Sequence, residues 1–388
     1  MLSSFERDII SIIKASLNST TPTLSGELDY EKVYGFAKEM QIVPLLCYGL
    51  EKVPEVYNTD GGKKIVKSTL SYSFFDEGQM AEIDKIIEAF DLEKIEYVKL
   101  KGTVIKKLYP RSDMRLMSDA DILIKEESYP KIKKIMTTLG FEEELESDHE
   151  YVFTKGKDLN IELHKRLIPS YNKDYYEYFG DGWRLAKPSD KGSEWKMSNE
   201  DFFIYTFVHY AKHYRDGGIG VKHLTDFYLY ITKVEIDWNY VEEELEKLQL
   251  LRFWKNTKKL IDAWFFDGEC DEISEFLTHK LFSGSAYGTG EAHLLSEGLK
   301  ISKKTKNVRA KRFFTSVFPP YSTMKQGYKY LAKLPILLPF TWTFRWIEII
   351  FHPKRFIQQR RKLKMLSSEN ISAYKNELDY VGIDFNFE

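Results

Sequence analysis

Cysteine is almost absent from this chain. Cys47 and Cys270 are the only two in 388 residues, too few and too far apart for a disulfide framework, so a reducing, cytoplasmic setting is expected. Net charge is equally small: 57 Lys and Arg against 59 Asp and Glu leave −2. Residues 1–14 carry Glu6, Arg7 and Asp8 among their apolar positions and lack the continuous core of a secretory leader. No long uninterrupted hydrophobic run occurs either. The most apolar stretch, residues 331–351, is broken by Lys333, Pro335, Pro339, Arg345 and Glu348, which argues against a membrane span. No internal repeat is evident, so stacked-repeat architectures are excluded as well.

What is present is enough apolar side chain, 43%, for a substantial core and two or three domains. Phe and Tyr are abundant, and packing is expected to be aromatic-rich. Residues 3–18, 30–50 and 62–90 repeat apolar positions at helical spacing, as in Phe5, Ile9, Ile12 and Ile13. From about Ile95 the pattern changes to short strands alternating with helices. Residues 130–139 read as a helix ended by Gly140, and residues 151–153 with 159–163 read as a hairpin across Lys155, Gly156, Lys157 and Asp158. From Ser198 onward the pattern is helical again. The expected divisions are 1–92, 93–195 and 196–388, with a basic, aromatic-rich segment at 300–364.

The chemistry concentrates in the middle division. Asp119-Ala120-Asp121-Ile122-Leu123-Ile124 opens a short apolar strand, and side chains two apart on a strand share a face. Both carboxylates therefore project together while Ala120, Ile122 and Ile124 face the other way. Two anions so placed repel unless a hard cation sits between them. In Asn160-Ile161-Glu162-Leu163-His164 the same parity puts Glu162 and His164 on one face, offering a third carboxylate. Upstream, Tyr97-Val98-Lys99-Leu100 reads as a strand running into Lys101-Gly102-Thr103 and a helical segment over 104–109. Glycine there lets backbone approach an anion, and N–H groups at a helix start favour it, although Gly-Thr opening a helix is also an ordinary cap.

The order strand, Gly-Thr, helix and Asp-X-Asp on the next strand resembles the polymerase-β-like nucleotidyltransferase superfamily. Leu100-Lys101-Gly102, Leu108-Tyr109-Pro110, Arg115 and Ser118-Asp119-Ala120-Asp121-Ile122-Leu123 look more narrowly like the bacterial family of uncharacterised nucleotidyltransferases. The resemblance is specific over 96–125, fair through Glu162-Leu163-His164 and diffuse beyond. It implies an α+β fold, a nucleotidyltransferase core of small mixed sheet and flanking helices between helical N- and C-terminal regions. It implies transfer of NMP from a nucleoside triphosphate to a hydroxyl, by two-metal in-line attack with Mg²⁺ or Mn²⁺. Lys101, Gly102 and Thr103 then fall at the nucleotide phosphates, with Thr where the superfamily has Ser. Asp119 and Asp121 match the paired metal ligands, and Glu162 stands where the third catalytic carboxylate belongs. The spacing from Gly102 to Asp119 exceeds the superfamily's usual one by roughly residues 109–117. Arg115, inside that insertion, is either a triphosphate ligand or a surface arginine.

Second-tier residues follow. Ser198 caps a helix carrying His209 and His213 four apart on one face, a spacing that can bind zinc, and a second helix beyond Gly217-Gly218 carries Asp226. These three either satisfy one another between packed helices or line the cleft opposite the carboxylates; His164 is either a structural strand-end histidine or part of the site. Three readings fit the basic C-terminal segment: a buried helix pair with a basic outer face, which is favoured, a peripheral membrane surface through 331–351, or a polyanion groove. No nucleic-acid reading motif accompanies the charge. The acceptor, whether small molecule, sugar or macromolecule, is not written in the sequence. Two other function classes stand beside the biosynthetic transferase: a non-catalytic nucleotide-binding module, and a toxin-like enzyme modifying tRNA or protein.

Overall fold

The β-branched and aromatic runs of the middle division form a single mixed sheet. In the computed structural model, which describes residues 1–383 apart from 158, 287, 304, 306 and 352–360, seven strands lie in the order β3-β4-β5-β2-β1-β7-β6. They are β1 (Tyr97–Lys99), β2 (Ala120–Ile124), β3 (Glu142–Glu146), β4 (Glu150–Lys155), β5 (Leu159–His164), β6 (Ala186–Pro188) and β7 (Glu194–Met197). β2 runs antiparallel to β1 and parallel to β5, and β7 runs parallel to β1. The fold is α+β, with this core set among helices. The edge hairpin β6–β7 and the edge strand β3 lie outside the sequence-derived strands, because three- and four-residue strands carry too little periodicity to register and β3 is four glutamates and a leucine with no apolar alternation.

One sheet face is dry. Ala120, Ile122 and Ile124 of β2 and Ile161 and Leu163 of β5 pack with Ile83, Ile86 and Phe90 of the long helix and with Ile132 and Met136. This is the alternation read from the sequence, and it sends Asp121, Glu162 and His164 to the opposite face.

The helices that begin the chain are α1 (Ser4–Asn18), α2 (Tyr30–Glu39), α3 (Val43–Gly49), α4 (Glu55–Asn58) and the 33-residue α5 (Asp60–Leu92). They are pinned to the insertion at 109–117. Ser112 donates to Asp76 of α5 at 2.7 Å, Asp113 accepts from Tyr48 of α3 and from Ser73 of α5, and Lys106 makes a buried ion pair with Asp76. After the short α6 (Gly102–Ile105) come α7 (Tyr129–Thr138), α8 (Lys173–Phe179), α9 (Asn199–Asp216), α10 (Lys222–Lys233), α11 (Trp238–Lys247), α12 (Leu251–Phe265) and α13 (Glu272–Ser283). α9, α10 and α12 pack through rings: Phe203, Phe207, Phe227 and Trp254 meet at centroid distances of 5.0–6.2 Å.

The chain divides into two compact units, one of 1–212, 219–287 and 381–388, the other of 213–218 and 288–380. The boundaries expected near 92 and 195 both fall inside the first. The second unit contains α14 (Gly290–Ser302), α15 (Val308–Val317), α16 (Tyr321–Gly327), α17 (Leu338–Phe351) and most of α18 (Ser368–Val381). Its basic stretch at 300–364 lies partly outside the described residues. The expected burial of 331–351 as a helix pair is corrected here. Trp342 and Trp346 turn inward, donating to the carbonyls of Pro319 and Val317 at 3.0 and 2.8 Å, whereas Ile336, Phe340 and Phe344 are exposed. No helix among the described residues is long and apolar enough to cross a membrane.

Candidate active site

Strand register builds the site. In the parallel β2–β5 ladder Asp121 stands opposite Glu162, and in the antiparallel β4–β5 ladder Glu150 stands opposite His164. Four polar side chains thus share one patch of the wet face, and Asp119 joins them from the bend that leads into β2. The end of β1 is tied to the start of β2 by the Leu100 N–H, which donates to the Asp121 carbonyl at 3.1 Å.

Lys101 follows at once, with φ of +45°, a left-handed value that costs a residue bearing a Cβ and is found preferentially at functional turns. The turn throws its ammonium onto Asp121, Nζ to Oδ1 at 2.6 Å, while His164 Nε2 reaches the same oxygen at 2.7 Å and lies 3.7 Å from Glu162. Gly102 answers to a different demand: a Cβ there would sit 2.6 Å from the sulfur of buried Met117. Thr103 spends both its N–H and its hydroxyl on the Leu100 carbonyl, at 3.2 and 2.6 Å, which holds the turn closed.

The titrating groups record the strain of this arrangement. Burial, then the charges of Asp119 and Asp121, push Glu162 up to about 8. Asp119 is also raised, by burial and then by Asp121. For Asp121, burial works upward but is outweighed by the Lys101 ammonium and the His164 hydrogen bond, so its carboxyl is held well below the usual range. Burial would depress Lys101, and Asp121 more than reverses that. His164 is lowered because burial exceeds the pull of Asp121. Lys222, on α10, is pushed down to about 7 by burial and then by Arg115.

Arg115 is neither a surface arginine nor open to a ligand. It is buried, its fork grips Asp226 through Nε and one terminal nitrogen at 2.7 and 2.8 Å, and it also donates to the Leu116 carbonyl at 2.9 Å. Tyr109 donates to Asp226 as well, at 2.7 Å. Asp226 is thereby satisfied by the 109–117 insertion rather than by an imidazole. His209 lies in the first unit, its ring 6.5 Å from that of Tyr205, and His213 belongs to the second. Neither joins a metal-ligating cluster among the described residues; the two clusters found are Asp121 with Glu162 and His164, and His149 with Glu150 and His164.

Three contributors escaped the sequence reading. Tyr205 of α9 has a buried hydroxyl with no hydrogen-bond partner, in the field of Lys101, Asp121, Glu162 and Glu150. Lys222 acts on Asp119 from α10, and nothing in its sequence context signals that. Glu150 was within reach: extending the hairpin by one pair from Tyr151 and Leu163 places it opposite His164.

A family model described as uncharacterised nucleotidyltransferase matches residues 26–266, more than half of the chain. The chain belongs to this family. It is therefore an enzyme of the nucleotidyltransferase class, and the matched span embraces both the sheet and α9–α12. No protein of curated function matches this nucleotidyltransferase in sequence. Among solved structures, that of the antibiotic-resistance factor ANT(2'')-Ia matches with 19% identity, covering 47% of this chain and 94% of that one, at a TM-score of 0.32.

Proposed function

We propose that this nucleotidyltransferase moves a nucleoside monophosphate from a nucleoside triphosphate to an acceptor hydroxyl, with Mg²⁺ or Mn²⁺ held by Asp119, Asp121 and Glu162. The observation that carries the reading is the pairing of Asp121 and Glu162 across β2 and β5 beside Asp119, with Glu162 and Asp119 both raised. Oxygen donors that repel one another in a half-buried patch are the donor set hard divalent cations take. When bound, such cations, two in the in-line scheme, supply positive charge to the triphosphate and lower the acceptor hydroxyl's pKa.

The chain's own residues position and neutralise. Lys101, now the counter-ion of Asp121, is placed to share its charge with a phosphate. Gly102 lets the turn pack against Met117, and Thr103 fixes that turn through Leu100. Glu162 either ligates the second ion or takes the acceptor proton, two alternative roles for one carboxylate. Arg115 acts through Asp226, holding the insertion that frames the site.

The test is nucleotide binding to the full chain by calorimetry, with each of the four triphosphates, with and without Mg²⁺ or Mn²⁺. Metal-dependent binding by the wild type that disappears in Asp119→Ala/Asp121→Ala supports the reading; metal-independent binding, or none, overturns it. Asp121→Asn should cut transfer by about 10³-fold or more while preserving the fold.

For location we propose the cytoplasm, with peripheral contact to anionic membrane through 331–351. Supporting this are the outward-facing Ile336, Phe340 and Phe344 within a basic segment.

A further inference from the structure

A second donor cluster adjoins the carboxylates. His149 ends the turn between β3 and β4, Glu150 opens β4, and His164 closes β5 as the register partner of Glu150. One ring nitrogen of each histidine and one carboxylate oxygen of Glu150 lie within 4.8 Å of one another, and His149 Nε2 stands 2.9 Å from Glu150 Oε2. The remaining nitrogen of His149, Nδ1, is 3.3 Å from Ser147 Oγ.

His164 is the informative member. Its Nε2 lies 2.7 Å from Asp121 Oδ1, and since an ionised carboxylate only accepts, Nε2 carries the proton. Nδ1 is then the ring's remaining ligand atom. It is buried with no hydrogen-bond partner, on a side chain only 3% exposed. An ion pair between His149 and Glu150 would account for those two groups and leave this nitrogen unexplained, whereas buried polar atoms are as a rule satisfied. A metal satisfies it. The Asp121–His164 bond would then be the outer contact that fixes the tautomer and orientation of a ligating imidazole, and Ser147 would do the same for His149.

We propose that His149, Glu150 and His164 form a transition-metal site that takes Zn²⁺ in preference to Mg²⁺. Two imidazoles and one carboxylate suit a borderline cation, while Mg²⁺ requires oxygen. Three protein ligands leave one position open to water or to a substrate oxygen. The site differs in donors from the three-carboxylate site and does not depend on it. It is coupled to that site through one hydrogen bond, because Asp121 touches His164.

The experiment is titration of the full-length, metal-stripped protein with ZnCl₂ alone, followed by calorimetry, and with CoCl₂, followed by visible absorption. With a hundredfold excess of Mg²⁺ present to fill the three carboxylates, one Zn²⁺ should bind per chain and stay bound. His149→Ala and Glu150→Gln should each weaken binding by about 10- to 100-fold, and the Co²⁺ ligand-field bands should collapse in His149→Ala. Glu162→Gln should keep Zn²⁺ affinity within about threefold. Equal Zn²⁺ binding by wild type and His149→Ala, displacement by Mg²⁺, or a loss in Glu162→Gln as large as in His149→Ala would each overturn the proposal. His149 sits on a turn, so its variant is expected to fold by circular dichroism; if it does not, Glu150→Gln carries the same reading.

Discussion

Glu162 sits in an environment that its place in the sequence does not disclose. In the sequence it is one more acid on a strand; in the fold, burial and the neighbouring Asp119 and Asp121 raise it to about 8 from an ordinary 4.5. A carboxyl raised on folding stabilises the native state fully below its unfolded pKa, and that contribution is lost as pH rises through the folded one. The metal-free enzyme should therefore lose stability between about pH 4.5 and 8, by at most about 1.4 kcal/mol per pH unit from this group, with Asp119 acting in the same direction. Urea denaturation in EDTA across that range should show the slope, and Glu162→Gln should flatten it; an unchanged slope in the variant would assign the effect elsewhere. The parity of Asp119, Asp121, Glu162 and His164 was legible because a strand's side-chain period is two. The shifts were not, because they depend on which charges a folded chain encloses.

At the scale of elements, two contacts hold the site's frame. The turn from β1 into α6 passes so close to Met117 that Gly102→Ala should cost about 1–3 kcal/mol of overpacking. A double-mutant cycle with Met117→Val should return a favourable coupling of about 1 kcal/mol; additive effects would mean the turn relaxes without Met117. The second contact is the buried grip of Arg115 on Asp226. Asp226→Asn, which strands the guanidinium, should destabilise by about 3–5 kcal/mol, and Arg115→Met/Asp226→Leu by clearly less, since the double change removes both buried charges. Chemical denaturation reads both, and a double variant worse than the single one would refute the pairing argument. Helical periodicity anticipated α1, α5 and α9, and the capping signal at Ser198 matches its bond to the Asp201 N–H at 3.0 Å. Arg115 could not be assigned from sequence, because its partner lies 111 residues away and local pattern carries no record of such a contact.

For the molecule as a whole, the helices that begin the chain lie in the first compact unit and are tied to the insertion through Asp76 and Asp113. The second unit carries the exposed Ile336, Phe340 and Phe344. The full-length protein should float with phosphatidylserine vesicles and less so in high salt, and Phe340→Ser/Phe344→Ser should reduce flotation severalfold; wild type remaining in the bottom fraction would remove the membrane proposal. The sequence by itself determined strands β1, β2, β4 and β5 and the face on which the carboxylates lie, since these follow from short-range periodicity, while the reaction class came through the family resemblance that its motifs carry. Only the tertiary structure decided that Arg115 serves Asp226, that Lys101 neutralises Asp121, that Tyr205 and Lys222 enter the site, and that His149 and Glu150 join His164. Those pairings are made between segments far apart along the chain, where burial and charge, and not local pattern, choose the partner.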